Sequence, residues 1–346
     1  MRMQAAEICG HRGAYPPGAT VALRLRAVIA ALVPVVLVAG HAGPALAVEG
    51  GTSTYLLGSR DSLAGIVPPP GTYVTLQYVH IEGDASFAFL GGRPLVDLET
   101  STNIFELIGT QVFEGEVMGG RPAIAFTLPA VSGEVDFTAT FERFTSGFSD
   151  ENTGFGDLSV TPMLGWSEGK SHWLVAATVF LPTGQYELGS VSAATGVQVL
   201  NFGRNRLAVD PVVAYTYLDL EKGREYSIAG GVTFSSRNDA TDYQSAPEAH
   251  IEATAMQYLP SKLGFGVTGY AYKQLGEDSG AGADKLRFTA GTDSLQAEVY
   301  SIAPVVSYAT EVGGTSVSFK AKYVYEFGAK RMFENNALWL SATFSF

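Results

Sequence analysis

Glu248, His250 and Glu252 stand at alternate positions in APEAHIEATA, so on an extended chain their side chains share one face. Imidazole and carboxylates in such a row are metal ligands in type, since both take divalent ions. The same row also reads as a polar strand face balancing Lys320, Lys322 and Arg206. No other histidine falls in a matching segment to complete a site, so the sequence favours the polar face and assigns no metal.

His250 with an acid and a serine would also make a hydrolytic triad in type. No G-x-S-x-G elbow is present and no serine has a context that singles it out, so no catalytic residue is expected and the chain is not read as an enzyme. Gly203 beside Arg204 and Arg206 has the residue types for anion binding. It lacks the G-x-x-x-x-G-K order of a phosphate loop, which leaves a loop-to-strand rim with its charges in water. The acidic, glycine-rich run 277–284 lacks the calcium-loop order and its twelfth-position glutamate. It reads as a solvated loop holding divalent ions loosely beside lipopolysaccharide, and no cofactor is implied.

The elements that must carry these residues are strands. Period-two alternation marks twelve of them, over 72–83, 103–114, 122–144, 154–167, 171–182, 206–218, 224–235, 244–258, 263–275, 295–310, 316–327 and 337–346. Short connections, such as 167–170, 219–223, 259–262 and 311–314, alternate with long polar ones at 183–205, 236–243 and 276–294. An antiparallel outer-membrane barrel sorts its loops in this way, with short periplasmic turns and long extracellular loops, and closure removes the edges that hydrocarbon forbids. The expected fold is therefore all-β, an up-and-down transmembrane β-barrel of about twelve strands.

Alternation also assigns faces. Leu207, Val209, Val213, Tyr215 and Tyr217 would meet lipid while Arg206, Asp210, Ala214 and Thr216 point inward. Phe319, Tyr323, Tyr325 and Phe327 oppose Lys320, Lys322 and Glu326 in the same way. The chain ends on ALWLSATFSF, an alternating strand with terminal aromatics, so Phe344 and Phe346 are candidates for the signal read by the outer-membrane assembly machinery.

Composition agrees. Charged residues make up 16% of the 346 residues, below the roughly 25% of soluble domains, and 40 glycines accompany 20 Phe and 16 Tyr. Arg24 and Arg26 precede an apolar run over 27–39 that is too short to span a membrane, and Ala45-Leu46-Ala47 supplies a cleavage pattern. Residues 1–47 are thus expected to be a removed signal peptide, with Val21 an alternative start if its codon is GTG. The sole cysteine, Cys9, goes with that segment, which excludes a disulfide framework. Cleavage also removes four basic residues and one acidic one, leaving 18 against 33 and a net charge of −15. Nucleic acid, which needs a basic footprint, is excluded as a partner.

Residues 48–71 precede the first strand with little periodicity and carry Leu56, Leu57, Leu63, Ile66 and Val67. A periplasmic tail and a plug inserted into the barrel (72–346) both fit. Those apolar side chains would be awkward in water, which tips the balance towards insertion.

Several stretches resemble a known family in order along the mature chain: EGGTSTYLLGSRDSLAGIVPPPGTYV (49–74), GFGDLSVTPMLGW (154–166), FLPTGQY (180–186), NFGRNRLAVDPVVAYTYLD (201–219), TDYQSAPEAHIE (241–252), GYAYKQLGEDSGAGA (269–283) and WLSATFSF (339–346). Together they are similar to the transporter family labelled the MetA-pathway of phenol degradation. The resemblance implies an outer-membrane barrel that passes small hydrophobic or aromatic compounds without catalysis. Lipid, lipopolysaccharide and the assembly machinery would be its partners. Arg206, Asp210, Glu225, His250, Glu252, Lys320 and Lys322 are the candidate pore lining. A non-conducting structural or adhesive barrel is the alternative, and an outer-membrane hydrolase a more distant one.

Overall fold

The computed structural model describes residues 49–90, 92–141, 144–192 and 196–346; the expected signal peptide lies outside them. The strands are β1 Gly71–Leu90, β2 Arg93–Val112, β3 Arg121–Phe141, β4 Phe144–Phe155, β5 Ser159–Glu168, β6 Ser171–Phe180, a small hairpin β7 Ser190–Ser192 and β8 Gly196–Gln198, then β9 Ala208–Asp219, β10 Arg224–Ser235, β11 Glu248–Tyr258 and β12 Leu263–Gln274. A helix, α1 Ala281–Ala290, precedes β13 Glu298–Val312, β14 Thr315–Lys330 and β15 Glu334–Ser345.

All neighbours in the large sheet are antiparallel, and the order runs β1-β2-β3-β5-β6-β9-β10-β11-β12-β13-β14-β15 and back to β1. The seam is closed in register from Tyr73↔Ser345 to Asp84↔Glu334. At its end Thr72 and Phe346 exchange both backbone bonds, at 3.1 and 2.8 Å. The protein is a closed twelve-staved barrel with an outer-membrane architecture. No described helix is long and apolar enough to cross a membrane, and the strands make the crossing.

The faces follow from the pleat. Leu76, Phe105, Phe126, Ile251, Ile302 and Tyr323 are exposed on the outside, where lipid supplies their contacts. Val79, Asp210, Thr216, Glu252, Lys322 and Trp339 are buried inside.

The first strands are longer than the sequence pattern indicates. β1 and β2 pair as far as Leu90↔Arg93, and β3 has 21 residues, twice the roughly 9–11 needed to cross. Their outer halves, with β4 paired to the upper half of β3, stand above the bilayer as an extracellular sheet. Strand β4 was missed because its buried side packs on Phe137, Val199 and Leu200 instead of facing lipid, so it carries no lipid-driven alternation. β5 pairs with the lower half of β3, so one stave is interrupted at Gly156-Asp157-Leu158. The run 277–284, expected as a solvated loop, instead enters α1, which packs Ala283 and Leu286 on Tyr243 and Leu295. Its Asp278 is buried and accepts from the Ala246 N–H at 2.6 Å and Gln274 Nε2 at 3.0 Å. Burial pushes that carboxyl well above its usual range.

Candidate lumenal site

Residues 49–70 run inside the barrel from its extracellular end to the periplasmic rim. Glu49 lies at the outer end, bonded to Asn238 and Thr241 in the β10–β11 loop. At the other end Arg121, at the start of β3, donates to the carbonyls of Val67 and Pro68 at 3.1 and 2.9 Å. The segment has little regular structure, so its backbone donors need outside partners. Inward-pointing carboxylates of the wall supply many of them.

On β11, Glu248 accepts from the Ser53 hydroxyl at 2.9 Å and the Thr54 N–H at 3.2 Å. Glu252 accepts from the Tyr55 hydroxyl at 2.6 Å and the Arg60 N–H at 3.0 Å. On β10, Glu225 accepts from the Leu63 N–H at 2.6 Å and from Ser227 and Tyr258. Each such bond contributes about 0.5–1.5 kcal/mol net, so the set together fixes the segment against one side of the wall.

His250 donates from Nε2 to Asp210 at 3.1 Å, and its ring stacks on Tyr55 with centroids 4.0 Å apart. Gly231 makes room for this pair, since a Cβ there would lie 2.6 Å from His250 Nε2. The imidazole is thus a wall group supporting the segment. No group of three metal-binding side chains forms among the described residues.

Cations hold the segment from two other directions. Lys320 and Lys322 on β14 both donate to Asp61, Lys322 at 2.9 Å, and Lys322 also reaches the Gly58 carbonyl at 2.5 Å. Arg206 pairs with Glu49 at 3.0 Å. The arginines were expected in water at a rim; Arg206 is 2% exposed because the segment covers it.

Arg204 belongs to a clasp that sequence reasoning missed. At the interruption between β4 and β5, Asp157 accepts from the Gly184 and Arg204 N–H groups at 2.9 and 2.8 Å. Gly203 bonds to Gln185, and Gln185 to Phe155. A Cβ on Gly184 would fall 2.6 Å from Gly203 Cα and 2.7 Å from the Gly156 carbonyl carbon, so only glycines allow the three chains to meet. The Arg204 guanidinium then extends onto the carbonyls of Glu49, Thr52 and Ser53. GFGD, PTGQ and NFGR, which sit far apart in the sequence, are therefore parts of one device. Their glycine–acid pattern was the available signal.

All seven candidate lining residues lie inside the barrel, and all face or support the segment rather than an open passage. Phe344 sits on the outer face of β15 opposite Val74 and Val317, and Phe346 closes the seam.

Between the segment and the opposite wall, formed by β1, β2, β3, β5, β6 and β15, remains a cavity of about 330 Å³. Leu57, Ile81, Ile104, Val131, Phe180 and Trp339 line it, with threonines at 100, 102 and 127. The charged groups at its edge are engaged: Glu106 accepts from Gln77, Glu326 from Tyr270 and Asn335, and Arg204 is held as described. A chamber lined by aliphatic and aromatic side chains, with serine, threonine and tyrosine hydroxyls among them, suits a small neutral molecule.

The family model described as "Putative MetA-pathway of phenol degradation" matches residues 73–342. No curated protein matches the chain. Among solved structures, the COG4313 outer membrane channel from Pseudomonas putida F1 is similar with a TM-score of 0.61 and 15% identity, over 84% of this chain and 98% of that one. A Pseudomonas aeruginosa FadL homologue follows at a TM-score of 0.44 and 10% identity, over 80% and 90% of the two chains, too distant to carry an argument. The first likeness establishes a shared fold.

Proposed function

The chain belongs to the family described as the putative MetA-pathway of phenol degradation, and from that premise we propose that it is an outer-membrane channel for passive uptake of small hydrophobic or aromatic compounds. The observation that carries this reading is the chamber between the lumenal segment and the β1–β3 and β15 wall. Its lining combines apolar side chains with hydroxyls, and Glu106, Glu326 and Arg204 at its edge are hydrogen-bonded. A neutral aromatic solute would lose little on entering it, whereas an aromatic carboxylate would find no free cation and would meet Glu106 and Glu326.

Residues 49–70 act as a gate in this account. Water can replace their bonds to charged groups once the segment moves, while Tyr55, Leu57 and Val67 give up packing on the wall. That makes displacement cheaper than extraction of an apolar plug of the same size. Phe344 and Phe346 would serve assembly rather than passage.

The seated segment also supports a second reading, a structural barrel that conducts nothing. A hydrolase has no support at His250, whose ring is committed to Asp210 and Tyr55 with no serine hydroxyl bonded to it. Reconstitution of the mature barrel in lipopolysaccharide-containing bilayers separates channel from structural barrel. Ion conductance should be low while labelled toluene enters faster than an aromatic acid or a long-chain fatty acid. Equal entry of toluene with and without protein would favour the structural barrel.

A further inference from the structure

At the extracellular end of β12–β14 a row of charges crosses three adjacent strands on the lipid side of the wall. Lys273 pairs in register with Glu298, and Glu298 with Lys330. Both ammoniums bond the one carboxylate, at 2.7 and 2.9 Å, and both lysines remain more than half exposed. Arg331 follows directly, its Nε donating to the Gln296 carbonyl at 2.8 Å, and its charge is felt at Lys273. Two cations thus share one anion, and a third, Arg331, follows Lys330 in sequence. At the ion pairs Arg237 with Asp242 and Arg287 with Asp284 on the extracellular loops, charge is balanced one to one.

The level of this row in the membrane is fixed by what lies beneath it. Two residues down β13, Tyr300 packs on Phe327 with centroids 6.1 Å apart, and Tyr325 lies 6.3 Å from Phe327. All three rings are exposed on the outer face. Such a cluster marks the interface between hydrocarbon and headgroups, so the cations above it stand at headgroup height in the outer leaflet.

We propose that Lys273, Lys330 and Arg331 form a binding site for the phosphate groups of lipid A, the anchor of lipopolysaccharide. Glu298 holds the two ammoniums side by side and leaves the row net positive. The rings of Tyr300 and Phe327 pack on the top of the acyl chains. The surface is a patch on a strongly acidic protein, so it also fixes which sector of the barrel carries a bound lipopolysaccharide.

The test is native mass spectrometry of the folded mature protein with bisphosphorylated lipid A, dephosphorylated lipid A and phosphatidylglycerol as separate probes. Retention of bisphosphorylated lipid A should exceed that of the other two. It should fall roughly fivefold for each cation removed in K273Q, K330Q and R331Q. The variant E298Q, which removes the anion and leaves every cation, should retain it more strongly than wild type. This keeps the test open if a lysine variant fails to fold. Equal retention of lipid A and phosphatidylglycerol, or no change in any variant, would overturn the proposal.

Discussion

The Asp61 carboxylate of the lumenal segment lies 2.9 Å from Lys322 Nζ on β14, with both side chains only 2% exposed. This pair, joined by Lys320, ties the middle of the segment to the wall. Breaking a buried pair from one side leaves an uncompensated charge and costs about 3–5 kcal/mol. D61N should therefore shift the balance between seated and displaced segment by at least about 100-fold. Single-channel recording should show longer and more frequent open events, and unchanged open probability would count against the gate.

Gly65 sits where the segment touches the wall backbone. A Cβ there would lie 2.6 Å from Thr216 N, 2.7 Å from Tyr215 C and 2.9 Å from His172 O, none of which can turn aside. G65A should unseat the periplasmic end of the segment, seen as protease cleavage within 49–70 in the folded barrel. G109A, at a position with nothing within 4 Å, should remain resistant.

Asp157 holds the clasp at the interrupted stave. D157A removes the acceptor of the Gly184 and Arg204 N–H groups, at about 1–3 kcal/mol for each group left unpaired. Loss of Arg204 from the Glu49, Thr52 and Ser53 carbonyls should follow, so cleavage in the 181–207 loop and channel opening should increase together. Cleavage without opening would separate the clasp from the gate.

Deletion of Phe346 removes the bond pair with Thr72 but little packing, since the side chain is 71% exposed. The yield of folded barrel in the outer membrane should fall several-fold while the conductance of assembled molecules stays the same. Normal yield would argue against an assembly role.

The barrel was legible in the sequence because lipid on one side and a polar lumen on the other impose alternation on every stave they share. Phe319, Lys320, Ala321 and Lys322 show it directly. Where that constraint ends, legibility ends too: β4 and the outer halves of β1 and β2 bury Leu95, Leu98 and Phe148 against Val199 and Phe333 instead of meeting lipid. The inward direction of Glu225, Glu248 and Glu252 could be read, but not their partners, because the segment that covers them is aperiodic and lies about 160–200 residues away. The clasp around Asp157 was hidden for the same reason, its glycines being separated by strands β5 and β6 and by the β7–β8 hairpin.

The central claim, a channel for small neutral aromatic solutes gated by residues 49–70, is tested most directly by initial uptake of radiolabelled toluene and benzoate into cells with lipopolysaccharide-bearing outer membranes. Three strains are compared: no protein, wild type, and a variant lacking residues 49–70. Toluene entry should be several-fold faster with wild type than without protein. It should be faster still in the deletion variant, which should also admit benzoate. Toluene entering both protein-bearing strains at the rate of the strain without protein would contradict the account.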